Sequence, residues 1–375
     1  MTEWLMIAGD FTPLGGMDRA NHALAMHLTN GSGSHVHMVA HRVWRDLEER
    51  PATRVHPVRR PLGSHLLGAP FLASAGERTA TALRPDHVIA NGGNADTGDV
   101  TWVHYLHAAH VPQVHGIRRR LQTWASHDYY LRRERAALGR ARLVLCNSER
   151  TAMDVHDRLG IEPARTRVVY YGSDEAQFPL VTAIERADLK RELGWPDDRP
   201  VALFVGALGD RRKGFDRLFD AWALLCRDAA WDVDLAVTGQ GAELPDWRRT
   251  AAELGIEHRV RFLGFRTDIS RVIGASDVMV HPARYEAYGL GVHEAICRGV
   301  PAIVSARAGI AEVYPSDLAD LLIADVEDSR GIAGSLRDWR TNMKLAAARI
   351  LPFSDRLRGR SWSDMGAEIE RAVTA

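Results

Sequence analysis

The stretch from His281 to Pro301, HPARYEAYGLGVHEAICRGVP, carries two glutamates eight positions apart, Glu286 and Glu294. On one continuous helix they would lie about 12 Å apart along the axis and roughly 80° apart around it, too far to share a proton. The punctuation predicts another arrangement. A strand ends near His281, and a helix opens around Gly289 and stops at Gly299, with Pro301 beyond it. Glu286 then falls in the loop before the helix, and Glu294 in its early turns. A helix N-terminus favours anions, so the amides of Gly289, Leu290 and Gly291 could hold a phosphate. Glycine lets such a ligand come close to the backbone. Glu286 would face whatever is attached to the phosphate, and Glu294 would reach toward hydroxyls such as those of a ribose.

A second element of this kind is FVGALGDRRKGF, residues 204–215: a strand end, a glycine-containing loop and a helix start. Lysine occurs in this chain only as Lys190, Lys213 and Lys344, so Lys213 reads as more than another surface cation. A flexible ammonium suits a pyrophosphate as a point charge. Arg211 or Arg212 can add a second charge. Gly15 and Gly16 follow the first strand and precede the first helix, where by themselves they fit a plain tight turn. His104, His107 and His110 have helix-like spacing, but no cysteine or acidic pattern accompanies them. A zinc site needs such ligands and a supporting shell, so no metal site is expected.

The composition excludes several classes. Acidic and basic residues number 48 each, which removes the strong global field of a nucleic-acid binder. Cys146, Cys226 and Cys297 stand far apart and form neither a metal-ligand spacing nor a disulfide framework, which fits a reducing, cytoplasmic setting. The N-terminus MTEWLMIAGDF lacks a basic n-region, so no cleaved signal is expected. No apolar run approaches the roughly 20 residues that span a bilayer. Arg118, Arg119, Arg120, Arg132, Arg133 and Arg135 surround Leu121, Trp124, Tyr130 and Leu131. That segment reads first as an ordinary solvated helix and second as a weak peripheral contact with an anionic membrane.

Short apolar strands alternating with amphipathic helices position these residues and predict a parallel sheet with crossover helices. In the first half, strands are expected at Leu5–Ala8, His35–Ala40, His87–Ala90, Thr101–His104, Arg142–Cys146 and Arg167–Tyr171. Ala20, Ala23, Leu24 and Leu28 mark a helix that Asn30-Gly31 ends. Residues 185–200, with Gly194, Pro196 and Pro200, read as a linker. The alternation restarts with strands at Val201–Val205, Val233–Thr238, Arg259–Leu263, Asp277–His281 and Ala302–Ser305, and a helix at Phe215–Leu225. At 375 residues the chain is too long for one core, so two doubly wound halves are expected, with ligands beyond the carboxyl ends of their strands.

The Glu-x7-Glu stretch, with Gly299-Val300-Pro301 and residues 308–313 (AGIAEV) after it, resembles the signature of glycosyltransferase family 4. The Lys-Gly pair at 213–214 and the closing Ser361-Trp362-Ser363 resemble that family too. The resemblance implies an α/β GT-B fold: two Rossmann-like domains facing a central cleft. The N-terminal, acceptor-binding domain would span 1–185 and the nucleotide-sugar-binding domain 186–350. A terminal helix in 351–375 would cross back onto the first domain. It also implies a retaining, metal-independent transfer from a nucleoside diphosphate sugar, which is a substrate rather than a cofactor, to an unidentified acceptor hydroxyl. The family often places an arginine after the strand-end glycine; here Ala207 stands there, which leaves the arginine partner of Lys213 open. A family histidine near the donor sugar can be laid on His104 or His107; His107 is favoured because the extended run Trp102–Leu106 would set it at the loop mouth. The implied catalytic set is Glu286 with His107 or His104. The donor-binding set is Gly15, Gly16, Arg212, Lys213, Tyr288, Gly289, Leu290 and Glu294. Two alternatives of other classes are a GT-B nucleotide-sugar epimerase or hydrolase and a catalytically silent sugar-nucleotide-binding protein.

Overall fold

The computed structural model describes residues 1–30, 33–114, 116–209 and 211–375, without the side chains of Arg118 and Arg119. Gly31, expected to end the first helix, and Asp210 of the lysine loop lie outside the described residues. The chain divides into two compact units. Unit 1 contains Met1–Val111, Gly116–Gly172 and Arg360–Ala375, and unit 2 is built on Ser173–Gly359. The boundaries thus fall at 172/173 and 359/360, where the sequence suggests 185/186 and 350/351.

Unit 1 is a seven-stranded sheet. Its strands are β1 (Thr2–Ile7), β3 (Ser34–Ala40), β5 (Thr53–Pro57), β6 (His87–Asn91), β7 (Val100–Val103), β8 (Leu143–Cys146) and β9 (Thr166–Val168). The order is β5-β3-β1-β6-β7-β8-β9, with every pair parallel. β2 (Asp10–Phe11) and β4 (Arg42–Val43) form a small separate pair. Trp4, Leu5, Met6 and Ile7 on β1 are all buried, as expected of a central strand covered on both faces. The strand order reverses direction between β1 and β6. Such a switch point opens a crevice beyond the strands' carboxyl ends.

Unit 2 repeats the plan with β10 (Val201–Val205), β11 (Asp234–Thr238), β12 (Val260–Gly264), β13 (Val278–His281), β14 (Ala302–Ser305) and β15 (Leu322–Ile323). The order is β12-β11-β10-β13-β14-β15, again parallel throughout, so its switch point lies between β10 and β13. The segment read as a linker is corrected by the structure, because Ala183–Glu192 is a helix. Thr182 caps it by accepting from the Glu185 amide, and it buries Leu189 and Lys190. Lys190 bonds Asp277 at 2.8 Å, an ion pair that ties this helix to the start of β13. Gly194, Pro196 and Pro200 punctuate only the turn after it.

The last two helices separate. Met343–Arg358 belongs to unit 2, where Ser354 donates to the Cys297 carbonyl at 3.1 Å. Trp362–Thr374 belongs to unit 1 and packs on the helix Met17–Asn30, where His27 meets Ser363 at 3.2 Å and Glu370 at 3.1 Å. The described helices include none long and apolar enough to cross a membrane.

Candidate active site

In unit 2 the switch point between β10 and β13 gathers the chemistry. β10 runs into Gly206 and the loop that ends with Lys213 and Gly214. β13 ends at His281 and runs into Glu286. Two donors converge on one oxygen: Lys213 Nζ and His281 Nε2 both reach Glu286 Oε2, the latter at 2.9 Å. Burial alone would push the Glu286 carboxyl up, but the Lys213 charge and the His281 hydrogen bond hold it well below the usual carboxylate range. Burial and the Lys213 charge push His281 down, while its bond to Glu286 opposes them. The site therefore holds a carboxylate, an ammonium and a neutral imidazole.

The two loops are stitched together. Arg284 grips Asp216 with two bonds of 2.7 and 2.8 Å, reaches the Arg211 carbonyl at 2.6 Å and extends to Glu327 at 2.5 Å. Arg212 donates to the Tyr285 carbonyl at 3.2 Å. Gly214 has φ +72°, and a Cβ there would collide with the Pro282 carbonyl, so only glycine lets the two loops meet this closely. The helix Leu290–Cys297 begins after Gly289, whose φ is +113°. Its first amides have no partner within the helix, which leaves its N-terminus suited to an anion. Glu286 precedes this helix and Glu294 lies within it, buried. The Tyr288 hydroxyl bonds His293 Nδ1 at 2.7 Å.

Unit 1 has a cavity of about 390 Å³ at its own switch point, lined by Gly9 just after β1, by Asn91 of β6 and by Trp102 of β7. His104 and His107 both line it, with Tyr105, Tyr129, Tyr130 and Glu134. The extended run ends sooner than expected: β7 stops at Val103, and a short 3-10 turn covers His107–Ala109. That turn hangs on Glu134, whose carboxylate accepts from the His107 amide at 2.7 Å and the Ala108 amide at 3.0 Å. Burial pushes Glu134 up to about 7 against those two bonds. The His107 ring stacks on Tyr130 with centroids 5.0 Å apart. Burial drives His104 down to about 3, and burial with nearby His127 drives His107 down to about 4. Gly15 (φ +83°) and Gly16 lead into the helix Met17–Asn30, and Asp18, pushed up to about 6 by burial and by Asp10, faces the same cavity.

The sequence-predicted residues therefore divide. Arg212, Lys213, Glu286, Tyr288, Gly289, Leu290 and Glu294 lie in unit 2; Gly15, Gly16, His104 and His107 lie in unit 1. Sequence reasoning missed His281, Arg284 and Asp216. His281 carried a readable signal, a histidine at the end of a buried strand five residues before Glu286. Arg284 and Asp216 did not, because their pairing depends on tertiary contact. Among the described residues, no group of three histidines, cysteines or acids could hold a metal ion.

A profile of Glycosyltransferase Family 4 matches residues 14–177, and one of Glycosyl transferases group 1 matches residues 185–350. The lipopolysaccharide core biosynthesis glycosyltransferase LpsE of Rhizobium meliloti is 31% identical over 156 residues, 42% of this chain and 43% of that one. The lipopolysaccharide glucosyltransferase WaaG of Escherichia coli is 26% identical over 243 residues, 64% of each chain. The chain spans about half the length of the curated relatives it matches. A crystal structure of WaaG superposes with a TM-score of 0.78 at 21% identity over the whole of both chains. Anabaena HepE, solved in complex with UDP and glucose, gives 0.71 at 19% identity, again over both whole chains. The two parallel, doubly wound units and these likenesses define a GT-B fold. With both halves matched, the chain belongs to glycosyltransferase family 4.

Proposed function

We propose that this family member transfers a sugar from a nucleoside diphosphate sugar to an acceptor hydroxyl, with retention at the anomeric carbon and without a metal ion. The observation that carries the reading is the meeting of Lys213, His281 and Glu286 at the switch point of unit 2, next to a helix N-terminus. Lys213 pairs with Glu286. A bound diphosphate competes for the same ammonium and leaves the carboxylate to the sugar.

In the proposed reaction the bond from C1 to the diphosphate oxygen breaks, and its electron pair stays with the phosphate. Lys213, Arg212 and the amides of Gly289 and Leu290 stabilise that charge with little reorganisation. The acceptor oxygen bonds to C1 from the face that the diphosphate leaves, and its proton passes to the departing phosphate. Glu286 steadies the positive character at C1. Glu294 holds the ribose hydroxyls and Tyr288 backs the helix start. Unit 1 supplies Gly15 and Gly16 near the phosphate or acceptor and a histidine, His104 or His107, for the sugar's hydroxyls.

The described lining of the unit 1 cavity includes four histidines, three tyrosines and a tryptophan but neither lysine nor arginine. It suits an uncharged, hydroxyl-bearing sugar ring better than a phosphate. Ile117, Leu121 and Trp124 are exposed on the helix Ile117–Arg140 beside Arg120, a pattern that suits weak peripheral contact with an anionic membrane at the cytoplasmic face.

The test is nucleoside diphosphate release from a panel of nucleoside diphosphate sugars in the presence of EDTA, with and without hydroxyl acceptors, and with the product's anomeric configuration read by NMR. Acceptor-dependent release with a retained configuration is expected. An inverted product would refute retention. Release that needs only water would favour the epimerase or hydrolase reading, and binding without release would leave a silent protein.

A further inference from the structure

The buried interior of unit 1 contains a directed series of hydrogen bonds that ends on His104. Ser148 caps the helix Glu149–Leu159 by accepting from the Thr151 amide, and its hydroxyl donates to Thr151 Oγ1 at 3.0 Å. The Thr151 hydroxyl donates to Asn147 Oδ1 at 2.8 Å. That bond orients the Asn147 amide, whose Nδ2 donates to the Tyr171 phenolic oxygen at 3.1 Å and to the His104 carbonyl at 3.3 Å. An amide nitrogen only donates, so the phenolic proton does not point at Asn147. His104 Nδ1 stands 2.5 Å from the phenolic oxygen and is placed to accept that proton. Asn147, Ser148, Thr151 and Tyr171 are all buried, which shields the series from reorientation by bulk water.

A neutral imidazole that accepts at Nδ1 carries its proton on Nε2. His104 lines the cavity, and its buried Nε2 has no partner among the described residues. The ring also lies against Trp102, tilted with centroids 4.2 Å apart, and stacks on Tyr171 at 5.9 Å, so its plane is held as well as its tautomer.

We propose that Tyr171 and Asn147 are positioning residues that lock His104 as its Nε2–H tautomer, so that His104 meets a ligand as a hydrogen-bond donor to an oxygen and not as a base. This chooses His104 over His107 as the ligand-facing histidine. The kinetic half of the proposal rests on the function proposed above; the tautomer does not.

The experiment uses the full chain with histidine labelled in nitrogen-15, and assigns His104 by comparison with His104→Gln. Long-range proton–nitrogen spectra should show the Nε2–H tautomer, unchanged between about pH 5 and 8. Tyr171→Phe keeps the ring and removes the phenolic proton, so it should yield a mixture of tautomers. Asn147→Asp offers an acceptor where the amide donates, so the phenol turns toward it and His104 shifts to Nδ1–H. In both variants kcat for nucleoside diphosphate release should fall roughly 10- to 100-fold with the sugar-donor KM nearly unchanged, the effect of one missing directed bond in the transition state. An Nδ1–H signal in the unsubstituted protein overturns the proposal, and that measurement needs no variant to fold. An Nε2–H signal that neither substitution moves overturns it too. A tautomer that shifts as expected while turnover stays constant keeps the lock and refutes the placing of His104 at the reacting sugar.

Discussion

Removing Lys213 should destabilise unit 2 in a way that depends on pH. Lys213→Met keeps the aliphatic stem and deletes the ammonium, leaving the buried Glu286 carboxylate to the His281 hydrogen bond and the Arg212 charge. Lys213 and Glu286 are 17% and 12% exposed at their side chains, so the loss belongs at the lower end of the range for breaking a buried pair, about 3 kcal/mol. For a unit of this size that corresponds to a fall in Tm of roughly 6–12 °C near neutral pH. His281 then gives the sign of the pH effect. In the unsubstituted protein burial and Lys213 hold His281 below its ordinary value, so protonation favours the unfolded chain and stability falls as pH drops below about 6.5. Without Lys213, one of the influences holding His281 down is gone, so its folded value rises toward the unfolded one. The variant therefore loses less stability than the unsubstituted protein as pH falls through that range. The Tm gap between the two proteins should be widest near pH 8 and narrow toward about pH 5.5. Scanning calorimetry across that range on both proteins, Glu286→Gln and the double variant measures it. The double variant should lose less than the sum of the singles by at least about 1 kcal/mol. A gap that does not change with pH, or losses that simply add, would refute this account of the site.

Glu294→Gln should mainly raise the sugar-donor KM, because it touches a part of the ligand that does not react, whereas Glu286→Gln should mainly lower kcat; steady-state kinetics beside nucleoside diphosphate affinity separates them, and the opposite pattern would reverse the two roles. Activity should survive EDTA, and loss that a divalent ion restores would bring the histidines back as ligands. Gly214→Ala forces a side chain into the Pro282 carbonyl at a positive φ, so it should lower Tm and depress turnover by misplacing Lys213; a variant with unchanged kinetics would show that the loop tolerates displacement.

The sequence was most legible where local chemistry punctuates the chain. The apolar runs Val201–Val205 and Ala302–Ser305 and the helix Phe215–Leu225 stand in the structure with the bounds read for them. Residues 185–200 misled because their glycine and prolines lie at one end, while Thr182, Leu189 and Lys190 already specify a helix whose burial depends on Asp277 far along the chain. The edge strand β15, only two residues long, carries too few residues to show a period. The site divides the same way. The chemical types of Lys213 and Glu286 were visible, but their contact across 73 positions was not. His104 and Tyr171 lie 67 apart, and no local pattern announces that a tyrosine orients that histidine.

The assignment of Arg360–Ala375 to unit 1 bears on how the molecule is made. Unit 1 is the first part of this sequence to leave the ribosome, yet its helix Met17–Asn30 receives its covering helix, Trp362–Thr374, only after all of unit 2 has been synthesised. Domains tend to fold as they emerge, N-terminal first. Here the early unit must wait, with His27 and the surface around it uncovered, until the helix Trp362–Thr374 has emerged. A chain shortened after Gly359 would therefore injure the half of the protein whose strands lie farthest from the cut in sequence, and the maturity of unit 1 becomes a signal that synthesis has passed the whole of unit 2.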